Sequence, residues 1–166
     1  INYLKSLHDG SDYNDDQYGP INEWDIGLVD DLSKLFDMES EELKGYSEYI
    51  TDAYIGKNIT NWDTHSATDM SYMFDRCKTT SSVITIFTSW DVSSVTNMEY
   101  MFKEASNIII KGIEKWDVTK VTNITNMFEG LTDANFVDAD GLNKKPDLSG
   151  WIDIWALGGG FTLEDD

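Results

Sequence analysis

Four aspartates, each directly after a tryptophan, form the pattern in this sequence that first suggests chemistry. The pairs are Trp24-Asp25, Trp62-Asp63, Trp90-Asp91 and Trp116-Asp117. A ladder of carboxylates in stacked repeats could hold divalent cations between the coils. A short carboxylate can instead accept the backbone N–H groups of the next two residues in an Asx turn. We favour the turn, because no second carboxylate recurs at the spacing of a known calcium-binding repeat.

A second candidate for calcium binding lies near the start of the chain. Asp12, Asn14 and Asp16 alternate as in the first half of an EF-hand loop, and Glu23 falls at the twelfth place. Gln17 occupies the sixth place, where that loop needs glycine. We therefore predict no resident cofactor and retain these three side chains as the candidate ligands if calcium binds.

The remaining reactive side chains do not form a recognisable catalytic motif. Neither His8 nor His65 lies in a sequence context typical of a nucleophile and its base, and Asp63 with His65 lacks a third zinc ligand. Cys77 is the single cysteine, so this sequence forms no intrachain disulfide. The sequence therefore predicts a protein that is not an enzyme.

The charge balance restricts the class of partner. The 166 residues carry 12 Lys and Arg against 31 Asp and Glu, a net charge of −19. Such a surface repels the phosphates of nucleic acids and an anionic membrane leaflet. It suits cationic partners, and no apolar run reaches the roughly 18–20 residues of a membrane span.

The tryptophans mark an internal repeat. Five of the six stand at 24, 62, 90, 116 and 151, which gives a basic period of about 26–28 residues with insertions after the first and fourth copies. Such a period is typical of a solenoid whose coils stack side by side. Before the third and fourth tryptophans, the β-branched runs 83–86 and 108–110 predict short strands.

The second half of each copy predicts a short helix. Counting tryptophan as position 0, position +6 is Asp30, Thr68, Thr96 or Thr122, all suitable N-cap residues. Glu99 lies three residues after Thr96, which indicates a capping box. Positions +8, +11 and +12 are apolar in every copy, a spacing that puts them on one helical face toward a common core.

These patterns predict an α/β solenoid in one domain, similar in construction to a leucine-rich-repeat protein. We expect a right-handed coil of about four repeats, each a short strand, a turn and a short helix. The predicted parts are an N-terminal cap (1–20), repeats (21–131) with an inserted helix (38–58), a degenerate repeat and C-terminal cap (132–157), and a tail (158–166). Trp151 and Trp155, in the degenerate copy, are the candidate contacts for a partner.

The repeated string resembles a known family. Trp90-Asp91-Val92-Ser93 followed by Val95-Thr96-Asn97-Met98 and Met101-Phe102 is similar to the BspA-like surface repeat, first described as a mycoplasma-type lipoprotein repeat of unknown function. The resemblance covers residues 18–131 well and 145–155 in part. It implies a leucine-rich-repeat-like fold, exposure on a cell surface or secretion, and a role in adhesion or protein recognition. It brings no catalytic residues with it.

We therefore predict a non-enzymatic, extracellular or cell-surface interaction module that binds a protein or glycan. The alternative is a structural subunit that packs into a larger assembly through the ends of the solenoid. In that case the protein could be part of an intracellular assembly. Neither hypothesis involves nucleic acid or membrane insertion.

Overall fold

The computed structural model describes residues 24–37, 59–77, 84–86, 89–106, 108–139 and 148–151. Within these ranges the repeated string forms four successive coils that stack on one another. We call them coil 1 (24–37), coil 2 (62–77), coil 3 (90–105) and coil 4 (116–131). The predicted N-terminal cap, inserted helix and tail lie outside the described residues, as do Asp12, Asn14, Asp16 and Trp155.

Three short parallel strands follow coils 2, 3 and 4. They are β1 (Ile84–Ile86), β2 (Ile108–Lys111) and β3 (Phe136–Val137), in the order β1-β2-β3. Ile84 pairs with Ile108, and Ile110 pairs with Phe136. The strands predicted at 83–86 and 108–110 are thus present, as expected for β-branched segments that pair in parallel.

A second parallel ladder joins the coils at position +7. Single bridges link Asp31 to Asp69, Asp69 to Asn97, and Asn97 to Asn123. Equivalent residues of consecutive copies therefore face each other, and the repeats are stacked in one register.

The short helices predicted in the repeats are absent from the described residues, and the α/β solenoid is the wrong fold class for them. Where helices were expected, alternate backbone amides donate to the next coil. Tyr100 N donates to Thr125 O (2.9 Å), and Phe102 N donates to Met127 O (2.9 Å). A helix would direct those amides to carbonyls four residues earlier in the same segment. A segment of one or two turns gains few internal hydrogen bonds for the cost of helix nucleation, whereas pairing between coils satisfies the backbone in every layer.

Instead of helices, each coil contains consecutive tight turns. In coil 2, Met73 N donates to Met70 O, Asp75 N to Tyr72 O, and Cys77 N to Phe74 O. The third residue of the first and last of these turns has a positive φ, as in type II turns. These left-handed residues recur at positions +10 and +14: Lys34, Tyr72, Tyr100, Asn126, and Arg76, Glu104, Gly130.

The predicted orientation of the apolar side chains is confirmed, although the backbone is not helical. The buried side chains form one hydrophobic cluster along the stack. Its central column is Phe36, Phe74, Phe102 and Phe128, each fully buried, with ring centroids 5.3, 5.5 and 6.1 Å apart. Beside it the rings of Trp24, Trp62 and Trp90 stack at 6.4 Å.

Short 3-10 turns follow or precede the coils at Ile113–Lys115, Asp133–Asn135 and Ser149–Trp151. Asn135, which the sequence analysis did not single out, is buried and donates to the carbonyls of Ser106 and Ile108, both at 3.0 Å. Trp151 is 2% exposed and packs on Phe128 at 6.3 Å, so its ring belongs to the core. No helix within the described ranges is long and apolar enough to cross a membrane.

Gly130 offers a test of the left-handed turn positions. It has φ 80°, and an added Cβ would lie 3.1 Å from Glu104 Cγ and 3.4 Å from Glu104 Cα. We expect Gly130→Ala to lower the free energy of unfolding by about 1–2 kcal/mol, the cost of a side chain in the left-handed region. Urea denaturation measures it.

Gly150→Ala is the matched control, since an added Cβ there meets nothing within 4 Å. Equal stability of both alanine variants would contradict the turn geometry.

Candidate functional site

The Asp column beside the tryptophans is built from four identical turns. The Oδ1 atoms of Asp25, Asp63, Asp91 and Asp117 accept from the backbone N–H two residues later, at 3.2, 3.3, 3.0 and 3.1 Å. These are the Asx-turn hydrogen bonds that the sequence predicts, with one carboxylate oxygen committed to the turn.

The pKa values of three carboxylates in this column, Asp63, Asp91 and Asp117, are lowered by the hydrogen bonds of their turns. Hydrogen bonds from the hydroxyl and amide of Ser93 hold the pKa of Asp91 below its ordinary value. His65 does the same for Asp63, and Thr119 for Asp117. The neighbouring Asp91 charge acts in the opposite direction on both, but more weakly than the turn hydrogen bonds. These three carboxylates therefore carry negative charge at neutral pH.

A second set of aspartates and asparagines, at position +7, repeats this turn. The Oδ1 atoms of Asp31, Asp69, Asn97 and Asn123 accept from the N–H two residues later at 2.8–3.1 Å. Asn97 Nδ2 also donates to Asp69 Oδ2 (3.1 Å), and Asn123 Nδ2 donates to Glu99 Oε2 (3.2 Å). The sequence analysis placed these residues inside a helix and so missed their role. The sequence did contain a signal for this turn, because an Asp or Asn recurs at position +7 of every copy, two residues before a polar residue.

The threonines predicted as helix N-caps have a different role. The hydroxyls of Thr68, Thr96 and Thr122 each donate to the carbonyl of the equivalent residue in the previous coil at 3.1 Å, and their amides donate to the same carbonyls at 2.8 Å. The capping box of Thr96 with Glu99 is therefore wrong. These exposed threonines join coil to coil.

One cluster in the column resembles a hydrolytic triad in its order of contacts. Asp63 Oδ1 lies 2.7 Å from His65 Nδ1, and His65 Nε2 lies 3.0 Å from Ser66 Oγ. The sequence around His65 does not resemble a nucleophile motif, but the next residue, Ser66, lies within hydrogen-bond distance of its ring. However, Ser66 Oγ donates its single proton to Gly27 O at 2.6 Å. His65 Nε2 can then approach Ser66 Oγ only as a donor, because the serine proton is already given to Gly27 O.

This geometry does not activate the serine. A general base must accept the serine proton, and here a carbonyl of coil 1 accepts it. Among the described residues, no group of three or more His, Cys, Asp or Glu side chains is arranged to hold a metal ion. Cys77 is fully buried, and burial raises the pKa of its thiol to about 12, so it is a core residue rather than a reactive thiol.

A polar aromatic column runs along position +10. The Tyr72 and Tyr100 rings stack with centroids 4.9 Å apart. Lys34 Nζ lies 5.6 Å from the Tyr72 ring centroid, and Lys103 Nζ lies 4.9 Å from that of Tyr100. Asn126 Nδ2 donates to the Tyr100 hydroxyl at 3.2 Å. Ring faces that already stack on each other or on lysine are not available to stack on a sugar.

The coils therefore expose a regular polar surface. We call it the ladder face and define it by the exposed side chains of two columns, Asp25, Asp63, Asp91, Asp117 and Asp30, Thr68, Thr96, Thr122. Five of these eight side chains are carboxylates, and the threonines present groups that already hydrogen-bond within the stack. The arrangement suits recognition of a cationic surface better than catalysis.

The sequence matches the family described as Mycoplasma protein of unknown function, DUF285, over residues 41–140. That match spans coils 2 to 4 and the segment before them. No curated protein and no solved structure matches the chain.

Two substitutions at Asp91 distinguish how much the turn hydrogen bond and the negative charge each contribute to stability. Asp91→Asn keeps an oxygen that accepts from Ser93 N, so we expect stability close to that of the wild type. Asp91→Ala removes the acceptor, and we expect a loss of about 0.5–1.5 kcal/mol, typical of one hydrogen bond. Thermal and urea unfolding measure both. Equal destabilisation by Asn and Ala would show that the charge, rather than the turn, stabilises the coil.

Proposed function

The chain belongs to the DUF285 family of Mycoplasma proteins of unknown function, and we propose that it is a non-enzymatic interaction module that binds a protein or glycan through the ladder face. We further propose that it is one of the BspA-like surface repeats and acts at a cell surface or after secretion. The finer family assignment rests on the repeated string Trp-Asp-Val-Ser through Met-Phe.

One observation carries this proposal. The apolar side chains that recur at positions +8, +11 and +12 lie in or against the core, and the carboxylates at position +1 accept the hydrogen bonds of the turns. What repeats on the outside is a negatively charged ladder of exposed aspartates. A surface of this kind contributes selectivity and association rate through charge, and disfavours anionic partners.

The same negative charge restricts the chemical class of the partner. A basic protein surface, or a glycan with cationic groups, gains attraction from the ladder face, whereas sulfated or otherwise anionic glycans are repelled. The occupied faces of Tyr72 and Tyr100 offer no stacking platform to a neutral sugar. We therefore propose a protein partner with a basic patch ahead of a glycan.

A pull-down from the native source material tests this function with matched variants. Asp91→Asn/Asp117→Asn removes two charges from the ladder face while an amide oxygen can still accept each turn hydrogen bond. Asp133→Asn/Glu104→Gln removes two exposed carboxylates from outside the face. We expect the wild type and the Asp133→Asn/Glu104→Gln variant to retain the same partner. The Asp91→Asn/Asp117→Asn variant should bind that partner at least about tenfold more weakly. Its affinity should fall as salt rises.

Titration calorimetry with the captured partner measures that difference. Equal binding by both variants, or binding that does not depend on salt, would contradict the ladder face as the binding surface. Turnover of the captured partner would contradict the non-enzymatic assignment.

Packing into a larger assembly is the second candidate. Leu28 is 92% exposed and Val29 is 37% exposed, both on coil 1. Equivalent positions to Val29 in coils 2 to 4 are buried. A monomer at all concentrations in sedimentation, unchanged by Leu28→Ser, would exclude self-assembly through this end.

A further inference from the structure

The first described coil has a backbone edge whose hydrogen-bonding groups are paired in the other three coils. The carbonyls at positions +7, +9 and +11 of coils 2, 3 and 4 each accept an amide of the preceding coil. The equivalent carbonyls of coil 1 belong to Asp31, Ser33 and Leu35, and no amide within the described ranges donates to them. The amide of Asp30 has no acceptor in the same ranges, although the threonine amides at its position in the other coils do. We call the backbone groups of Asp30, Asp31 and Ser33 the outer edge of coil 1.

The outer edge suits an extended segment, because coil 1 already forms a strand-like bridge on its opposite side. Asp31 pairs in parallel with Asp69 of coil 2. Around this bridge, Thr68 N donates to Asp30 O (2.8 Å) and Leu32 N donates to Asp69 O (2.9 Å). A segment that bridges Asp31 from the other side repeats the same pattern. Its carbonyl accepts from Asp30 N, and its amide two residues later donates to Asp31 O.

Two exposed apolar side chains directly precede the outer edge in the chain. Leu28 is 92% exposed and Val29 is 37% exposed. The other coils carry serine or lysine at the position of Leu28, and they bury the residue at the position of Val29. A single exposed leucine is ordinary on a protein surface, whereas adjacent apolar side chains beside unpaired backbone groups are typical of a surface that binds another chain.

The charges of coil 1 favour a basic occupant. Asp25, Asp30 and Asp31 are all exposed. Lys34 is the single basic residue of coil 1, and its ammonium lies over the Tyr72 ring of coil 2 at 5.6 Å. A second copy of this chain brings a net charge of −19 and is repelled. A strand points alternate side chains to opposite sides, so a segment that alternates lysine or arginine with apolar residues can contact both kinds of group.

We propose that the outer edge of coil 1 binds an extended basic segment of a partner protein as an additional rung of the stack. The segment pairs with the backbone of Asp30 and Asp31, an apolar side chain covers Leu28, and its cationic side chains approach the exposed carboxylates. This inference rests on the proposed function, since it assigns a binding mode to the basic protein partner.

An NMR titration of the isotope-labelled full chain tests the edge with a synthetic probe, acetyl-Lys-Val-Lys-Leu-Lys-Val-Lys-amide. We expect the largest shift changes at the amides of residues 28–33. Solvent exchange of the Asp30 amide should slow about tenfold at saturation, because that amide gains an acceptor. The amide of Ser33, which already donates to Asp31 Oδ1 at 2.9 Å, should change much less.

Two modified probes separate backbone pairing from charge. One carries N-methyl groups on its lysine residues and the other on its apolar residues, so each keeps the charge and the side chains but loses alternate amide donors. We expect at least one of them to bind about tenfold more weakly than the unmodified peptide, because one set of amides faces the edge.

Matched variants of the chain locate the apolar contact. Leu28→Ser changes a side chain that is 92% exposed, so the fold is retained. It should weaken binding of the probe about tenfold, through the apolar area that is no longer covered. Ser94→Ala, at the equivalent position of coil 3, should leave the affinity unchanged.

The proposal is overturned if the probe causes no shifts up to about 1 mM, or if the largest shifts lie around Asp91 and Asp117. It is also overturned if both methylated probes bind as tightly as the unmodified one, or if Leu28→Ser retains full affinity. Dimers in sedimentation that Leu28→Ser abolishes would assign the edge to a second copy and likewise overturn it.

The native partner distinguishes failure of this inference from failure of the proposed function. A captured partner whose affinity falls in Asp91→Asn/Asp117→Asn but not in Leu28→Ser would overturn the edge and leave the ladder face as the binding surface. A partner whose affinity falls in Leu28→Ser alone would support the edge and contradict the ladder face.

Discussion

The stack depends on one constraint: the backbone amides of each turn segment need acceptors, and the neighbouring coil provides them. In coil 3 the amides of Met98, Tyr100 and Phe102 donate to coil 4, and those of coil 2 donate in turn to coil 3. This pairing requires equivalent residues to lie opposite each other. It therefore places phenylalanine on phenylalanine, threonine on threonine and aspartate beside aspartate. The columns of the core and of the surface follow from the same register.

The repeat, its register and its buried positions could be predicted from the sequence, because stacked copies must bury the same side chains. Met98, Met101 and Phe102 are fully buried, as their spacing indicates. The helix could not be excluded in the same way. A spacing of i, i+3, i+4 fits one face of a helix, and it also fits consecutive turns with left-handed residues such as Tyr100. Tyrosine, lysine and arginine give no local signal for a positive φ, since that conformation is stabilised here by pairing with another coil.

The turn chemistry at Asp91 was predictable because it is local, involving residues two apart in sequence. The roles of Thr96 and Asn97 were not predictable, because their partners Thr68 and Asp69 lie in the previous coil, 28 residues earlier in the sequence. The contact between His65 and Ser66 escaped sequence analysis for a similar reason. Its meaning depends on coil 1, where the carbonyl of Gly27 accepts the hydrogen bond from Ser66 Oγ. The proposed binding surface follows from a feature that the copies share, the exposed aspartate at position +1 of every coil.

Scalar couplings across hydrogen bonds, measured by NMR on the isotope-labelled chain, test the central claim most directly. The account predicts a coupling between the amide nitrogen of Tyr100 and the carbonyl carbon of Thr125, and another between Phe102 and Met127. A coupling from Tyr100 to the carbonyl of Thr96, four residues earlier, is the pattern of an α-helix. Finding that coupling in place of the one to Thr125 would contradict the stacked-coil fold and the surfaces inferred from it.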